Sequence, residues 1–409
     1  MATNWATNIA FHDSLTLHPE SIEELSEILR THDSVKVRGT GHCFNHIADS
    51  HGTVVILDRM PSVLSIDSDA AVATAGAGLT YSQVATFLHE NGWALPNLAS
   101  LPHISLAGAI TTGTHGSGIK NGALHTAIRA MKIMNADGSV SQISREKSPD
   151  FYAALVGLGR TGIVLSYEID IVPTFDLYQV VYGDLAHETF INDLIPLMSS
   201  AYSVSYFTTW SKAQIGDLWV KSLELPPHQL HGSQIRGEKS QPIPGVDPLN
   251  CTEQGGVPGP WHLRLPHFRI DATPSAGNEQ QSEFFVSSSD AVAAFKAISA
   301  IAPQFSEYLL VSEIRAIAAD EHWLSPAYQR ETIAFHFTWK NLDTIPVVAA
   351  LIEKVLTPFN YRPHFGKVFT AGSTYLESVL PKFGDFSDYV ALKDPEQVFA
   401  NEFTNSILL

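Results

Sequence analysis

Cysteine is nearly absent from this 409-residue chain; Cys43 and Cys251 are the only two. Two thiols cannot build a disulfide framework or a four-thiolate zinc site, so a reducing, intracellular and cytoplasmic setting is the expectation. Charge is scarce as well, at 16% of residues, and positive charge is scarcest: 25 Lys and Arg stand against 42 Asp and Glu, for a formal net charge of −17. Nucleic acids and anionic membranes are bound by clustered Lys and Arg, so neither partner is expected. No apolar run reaches the roughly 18 residues that begin to suggest a membrane span; the stretch Ala291–Pro303 is broken by Lys296. The opening MATNWATNIA has no basic segment followed by an apolar core, so no secretory leader is expected. What the chain does have is apolar material, 44% of residues, enough for large cores. At about 150 residues per domain the length predicts two or three domains.

The first part reads as short helices and strands in alternation. Ser21 and Glu24 form an S-x-x-E capping box ahead of Ile22, Leu25, Ile28 and Leu29, which predicts a helix over about residues 20–31. Val35 and Val37, Val54–Leu57, Ala71–Ala75 and Ile163–Ile171 read as strands. Thr80 and Gln83 open a second helix that ends at Gly92. Met131–Met134 and Val140–Ile143 flank Asp137-Gly138 and predict a hairpin. Ser148–Leu155 reads as a helix, and residues 93–118, rich in Gly, Pro, Ser and Thr with almost no charge, as a long loop that wraps something. After Pro173 longer aromatic and β-branched segments (Tyr206–Trp210, Phe284–Val286, Thr332–Trp339) predict an antiparallel sheet, with helices at Ala291–Ile301 and Pro346–Leu356.

Phosphate-binding loops favour glycine because backbone N–H groups must converge on an anion. The P-loop pattern is absent, and no G-x-G-x-x-G joins a strand to a helix. Two glycine-rich loops remain, Arg38–Cys43 and Ser105–Gly118. Either cradles a nucleotide or flavin pyrophosphate, or is an ordinary set of tight turns. His42, between Gly41 and Cys43, is open to four readings: general base, metal ligand, packed core residue or nucleophile. Neither H-E-x-x-H nor regular Cys/His spacing exists, so no metal is expected. In the later strands, Glu313 and Arg315 alternate around Ile314, and His336 and Thr338 around Phe337. Strand alternation puts each pair on one face, a pattern suited to lining a polar pocket; an exposed strand ion pair is the plainer alternative.

Gly39-Thr40-Gly41-His42-Cys43-Phe44-Asn45 resembles the covalent flavin-attachment loop of vanillyl-alcohol-oxidase-type flavoproteins, most nearly the alditol oxidases (xylitol/sorbitol oxidases) within them. Further segments carry the resemblance along nearly the whole chain: Leu95–Ser105, Thr112–Gly118, Asn250–Gln254, Val257–Trp261, Glu313–Arg315, Trp323–Tyr328, His336–Trp339 and Pro363–Lys367. There are two departures. Cys43 stands where Ser is expected, and Phe365 where related sugar-lactone enzymes have Trp in an H-W-x-K motif.

The resemblance implies an α+β, two-domain fold of the vanillyl-alcohol-oxidase (PCMH) type: an FAD-binding domain over residues 1–174, a cap domain with antiparallel sheet and flanking helices over 175–362, and a C-terminal segment, 363–409, returning to the first domain. It implies FAD joined through the flavin 8α-methyl to His42. Cofactor contacts are then expected from Val37, Arg38, Gly39, Thr40, Gly41 and Cys43 in the first loop. The second stretch would add Ser100, Ser105, Ala107, Gly108, Thr112, Thr114, His115 and Gly116, with Ile163 and His364 further on. The implied reaction is oxidation of a polyol's terminal primary alcohol to the aldose by hydride transfer to flavin N5, with dioxygen reduced to hydrogen peroxide. Arg315 and Lys367 would stabilise alkoxide and reduced flavin, Glu313, Thr338 and Ser100 would bind hydroxyls, and His336 would orient or accept the proton. The alternative within the same fold is a sugar-1,4-lactone oxidase or dehydrogenase. A monomer is expected.

Overall fold

The computed structural model describes residues 2–272, 275 and 278–408. Strands β1 (Leu15–Leu17), β2 (Val35–Val37) and β3 (Thr53–Val55) form a small parallel sheet in the order β1-β3-β2. Between the first two runs helix α1 (Ile22–Thr31), the kind of crossover that parallel strands require. Ser21 caps it by accepting from the Glu24 N–H, and Leu25, Ile28 and Leu29 form its buried face.

Next come β4 (Leu64–Asp67), β5 (Val72–Gly76), α2 (Tyr81–Glu90), α3 (Leu106–Thr111), β6 (Ile128–Met134), β7 (Val140–Ser144) and β8 (Ile163–Asp170). The strands make an antiparallel sheet in the order β4-β5-β8-β6-β7. The capping box at Thr80 and Gln83 forms in both directions, and the β6–β7 turn holds Gly138 at φ +79°. Two expectations need correction. Residues 93–118 are not loop throughout, because α3 lies within them. The helix read at Ser148–Leu155 is a single turn, Phe151–Ala154.

A second sheet is larger. β9 (Asp176–Ala186), β10 (Ser203–Thr208), β11 (Ile215–Ser222), β12 (Glu279–Ser287), β13 (Leu309–Ile317) and β14 (Thr332–Lys340) pair in the order β9-β11-β10-β13-β14-β12, with the two-residue strands Gly259–Pro260 and Arg362–Pro363 at its edges. Helices α4 (Ala291–Phe305) and α5 (Ile345–Leu356) cover one face. Phe284, Ile314, Phe335, Phe337 and Trp339 bury there against Phe295, Ile298 and Ile352, and the Phe337 and Trp339 rings stack at 5.0 Å. One face therefore forms an apolar core, and strand alternation sends the intervening residues to the other.

The chain ends in helices α6 (Ser373–Val379), α7 (Phe383–Lys393) and α8 (Glu402–Leu408). This segment packs back on the first region. Val35 N–H donates to the Val398 carbonyl at 2.8 Å, Lys36 Nζ to that of Phe399 at 3.0 Å, and the Asn401 amide to those of His46 and Asp49. Among the described residues, no helix is long and apolar enough to cross a membrane.

Candidate active site

The polar face of the large sheet does not meet solvent. It faces the glycine-rich loops across a cavity of about 1370 Å³, including its open mouth. On the loop side the chain packs closely. A Cβ on Gly39 would lie 2.1 Å from Ser105 Oγ, and one on Gly116 would lie 2.3 Å from the Leu98 carbonyl. Thr40 Oγ1 accepts from the Ser105 N–H at 3.1 Å, tying the two loops together, and sits 3.0 Å from His42 Nδ1. Gly41 has φ +68°, a backbone form that only glycine adopts freely. The His42 ring stacks on Trp5 at 5.2 Å. Burial, and then the proximity of His103, push its pKa down to about 4. His42 is thus a neutral imidazole, and its Nε2 is buried without a hydrogen-bond partner among the described residues. Burial pushes the Cys43 thiol up to about 12, so it is not a thiolate nucleophile.

The sheet side is charged. Glu283 on β12, Glu313 and Arg315 on β13, and His336 and Thr338 on β14 all line the cavity. The register explains the grouping: His336 is opposite both Glu283 and Glu313, and Thr338 is opposite Gln281 and Val311. Glu283 is the hub. Its Oε1 accepts from Arg315 Nη2 and lies 3.2 Å from His115 Nε2, and its Oε2 accepts from Lys367 Nζ at 2.7 Å. Burial pushes the Glu283 carboxyl up, but the charges of Arg315 and Lys367 outweigh it and hold the group well below the usual carboxylate range. Glu313 is held down by Arg315 and His267 against the same burial. On the cavity wall itself, two carboxylates therefore face two cations in a water-poor space. Buried charges persist only when paired in this way.

His336 is pushed well below the usual histidine range by burial and by Lys367. Gln281 Nε2 donates to Glu279, leaving Gln281 Oε1 to accept from His336 Nε2 at 3.0 Å. That assigns the proton to Nε2 and leaves His336 Nδ1 as a bare acceptor, buried and without a hydrogen-bond partner among the described residues.

Most of the anticipated residues converge on this cavity. Val37, Gly39, Thr40, Gly41, His42, Cys43, Ser100, Ser105, Gly108, Thr112, Thr114, His115, His364 and Lys367 line it with the sheet residues above. Four do not. Arg38 is engaged by Asp13 at 3.0 Å and stacks over Phe11. Ile163 and Ala107 pack in the core of the first region; Leu158 and Gly159, just before Ile163, line the cavity instead. Gly116 abuts Leu98, while its neighbour His115 reaches the site. Phe365 packs with Ile47, Leu376 and Phe386, outside the cavity lining. The sequence reading missed Glu283, Gln281 and His267, all of which line the cavity. The only signal for the first two was a run of polar residues, Glu279–Glu283.

These features fit a flavin dinucleotide. Tight glycine loops line the cavity, the loop segments 39–43 and 99–116 carry no Asp, Glu, Lys or Arg, and an imidazole nitrogen is left buried without a hydrogen-bond partner among the described residues. Family models agree: residues 14–144 match an FAD-binding domain and residues 279–407 match D-arabinono-1,4-lactone oxidase. An alditol oxidase of Streptomyces sp. (strain IKD472 / FERM P-14339) is 37% identical over 99% of this chain and 98% of its own. The L-gulonolactone oxidase of Mus musculus is 25% identical over 99% and 97%. Among solved structures, a solvent-stable cholesterol oxidase superposes with a TM-score of 0.79 at 14% identity, covering 100% of this chain and 97% of its own. Cholesterol oxidase from B. sterolicum gives 0.78 at 13% identity, covering 100% and 96%. The fold is thus that of an FAD-binding oxidase with a capping sheet, and the chain belongs to the alditol oxidase family.

Proposed function

We propose that this protein oxidises the terminal primary alcohol of a polyol, such as xylitol or sorbitol, to the aldose, with FAD joined covalently to His42. Bound FAD supplies the two-electron acceptor and returns the electrons to dioxygen as hydrogen peroxide. The observation that carries the reading is the balanced, buried polar wall of Glu283, Glu313, Arg315 and Lys367 facing the glycine loops. A polyol presents a hydroxyl on every carbon and needs donors and acceptors at short intervals.

Each group has spare capacity for that task. Lys367 uses one N–H on Glu283, and Arg315 Nε, 3.6 Å from Glu313 Oε2, has no hydrogen-bond partner among the described residues. Both cations lower the cost of negative charge on the reacting oxygen, an effect magnified where water is excluded. Ser100 Oγ, 3.4 Å from Arg315 Nη1, and Thr338 offer hydroxyls. His336 Nδ1 is a bare nitrogen able to take the alcohol proton. His42 Nε2, neutral and without a hydrogen-bond partner among the described residues, has the character of an attachment nucleophile.

The test compares wild-type protein with His42→Ala. The wild type should keep its yellow colour in the pellet after acid precipitation, bleach anaerobically with xylitol and form peroxide in air. His42→Ala should release its flavin into the supernatant. Colour retained in that pellet would place the attachment elsewhere. Peroxide from an aldonolactone but not from xylitol would favour the lactone reading, which draws support from the family model matched by residues 279–407; reduction of cytochrome without peroxide would favour a dehydrogenase.

A further inference from the structure

From Glu313 runs a line of buried polar groups that the reaction above leaves unused, with His267 on the cavity lining and Lys221 beyond it. Lys221 on β11 is 1% exposed, and His267, in the loop between β11 and β12, is 4% exposed. His267 Nε2 lies 2.9 Å from Glu313 Oε1, and His267 Nδ1 lies 3.2 Å from Lys221 Nζ, which also donates to the Leu265 carbonyl.

The proton positions follow from chemistry. Ionised Glu313 can only accept, so His267 carries its proton on Nε2; Nδ1 is then an acceptor, and Lys221 donates to it. Burial, aided by the charge on Lys221, pushes His267 down to about 4, so the ring is neutral and holds one tautomer. Phe207 and Trp219 meet the ring edge to face, each at 5.3 Å. The His267 backbone N–H donates to the Ser100 carbonyl at 3.2 Å. Glu313 Oε1 is thereby occupied. Its Oε2 stands 3.6 Å from Arg315 Nε, too far for a good hydrogen bond.

We propose that Lys221 and His267 are positioning residues for the substrate: the relay Lys221–His267–Glu313 fixes the Glu313 carboxylate so that Oε2 stays free to accept a hydrogen bond from one polyol hydroxyl. This rests on the polyol reading of the site. Neither residue carries out the reaction; each acts through Glu313. The expected signature is weaker substrate binding without a comparable loss of turnover.

The test uses the flavin-loaded protein and four chains: wild type, His267→Leu, His267→Gln and Lys221→Met. Glutamine keeps an N–H close to the position of imidazole Nε2, and leucine keeps volume only. Xylitol affinity is measured on the reduced enzyme under anaerobic conditions, where no turnover occurs, alongside KM and kcat in air. A hydrogen bond to a charged group predicts affinity and KM poorer by about 10- to 100-fold in His267→Leu. Lys221→Met should move in the same direction by a smaller factor, kcat should change little in both, and His267→Gln should recover most of the loss. Monodeoxy xylitols give the sharper reading. The wild type should penalise loss of one particular hydroxyl, and His267→Leu should no longer do so.

Wild-type affinity in His267→Leu, or glutamine no better than leucine, overturns the relay while leaving the polyol reading intact. If His267→Leu fails to fold, Lys221→Met decides by the same two measurements. A wild-type flavin that xylitol cannot bleach overturns both.

Discussion

Between Ala99 and Gly116 there is not one Asp, Glu, Lys or Arg, nor is there any between Gly39 and Cys43; the facing wall, from β12, β13 and β14, holds Glu283, Glu313 and Arg315, joined by Lys367. The two walls enclose one cavity by opposite means. The loop wall is shaped by missing side chains, which bring backbone close to backbone. The sheet wall is shaped by charges that neutralise one another. A dinucleotide, large and polyanionic, suits many weak backbone donors; a small uncharged polyol suits a few strong, fixed groups. The walls should therefore fail differently when altered.

The largest effect is expected at Glu283. Glu283→Gln leaves Arg315 and Lys367 buried with only Glu313 to balance them. Removing one partner of a buried ion cluster typically costs about 3–5 kcal/mol, readable as a lower denaturant midpoint of the flavin-loaded protein. The double variant Glu283→Gln with Lys367→Met removes one charge of each sign and should recover a large part of that loss. A double variant as unstable as the single one would mean that the two residues are not coupled.

A smaller effect of a different kind is expected on the loop wall. In Gly39→Ala the new Cβ would lie 2.1 Å from Ser105 Oγ, so the Ser105 segment must shift. Overpacking of this kind costs about 1–3 kcal/mol. Since Thr40 is bonded to the Ser105 N–H, the two loops should part and flavin content per protein should fall, as the ratio of flavin to protein absorbance would show. Full flavin occupancy and unchanged stability would mean that the close approach is dispensable.

How far the sequence anticipates each wall follows from the same physics. The Glu313-Ile-Arg315 and His336-Phe-Thr338 alternations were legible because each polar pair brackets an apolar residue that must face a core, and Ile314 and Phe337 do so. Glu283 was not legible. It ends the run Glu279-Gln-Gln-Ser-Glu283, polar at successive positions, so neither face stands out, and only pairing with β14 reveals which side it takes. Lys221 and His267 come from a strand and a loop far apart in the chain, and nothing local marks their meeting. Helix α3 was hidden because its six residues, Leu106–Thr111, include a glycine and lack a side-chain cap. The glycine loops showed their character in composition, but that Gly39 abuts Ser105, 66 positions away, is a tertiary fact.

The smallest effect isolates binding from stability on the sheet wall itself. Thr338 is 3% exposed and lines the cavity. Its backbone belongs to β14 in pairing with β12 and β13, so the strand holds it whatever the side chain. Valine has nearly the same shape and suits a strand at least as well. Thr338→Val should therefore change stability by no more than about 1 kcal/mol. A lost hydrogen bond to an uncharged hydroxyl is worth about 1 kcal/mol, which predicts a KM for xylitol about fivefold higher, with kcat and flavin content unchanged. Paired with Glu283→Gln, this variant separates the wall's two duties, since Glu283→Gln should lower stability by several kcal/mol and Thr338→Val should weaken substrate binding with stability nearly unchanged. If Thr338→Val lowered the melting temperature by several degrees while leaving KM alone, the hydroxyl would belong to the fold, and the polyol would have to be held by Glu313, Arg315 and Lys367 without it.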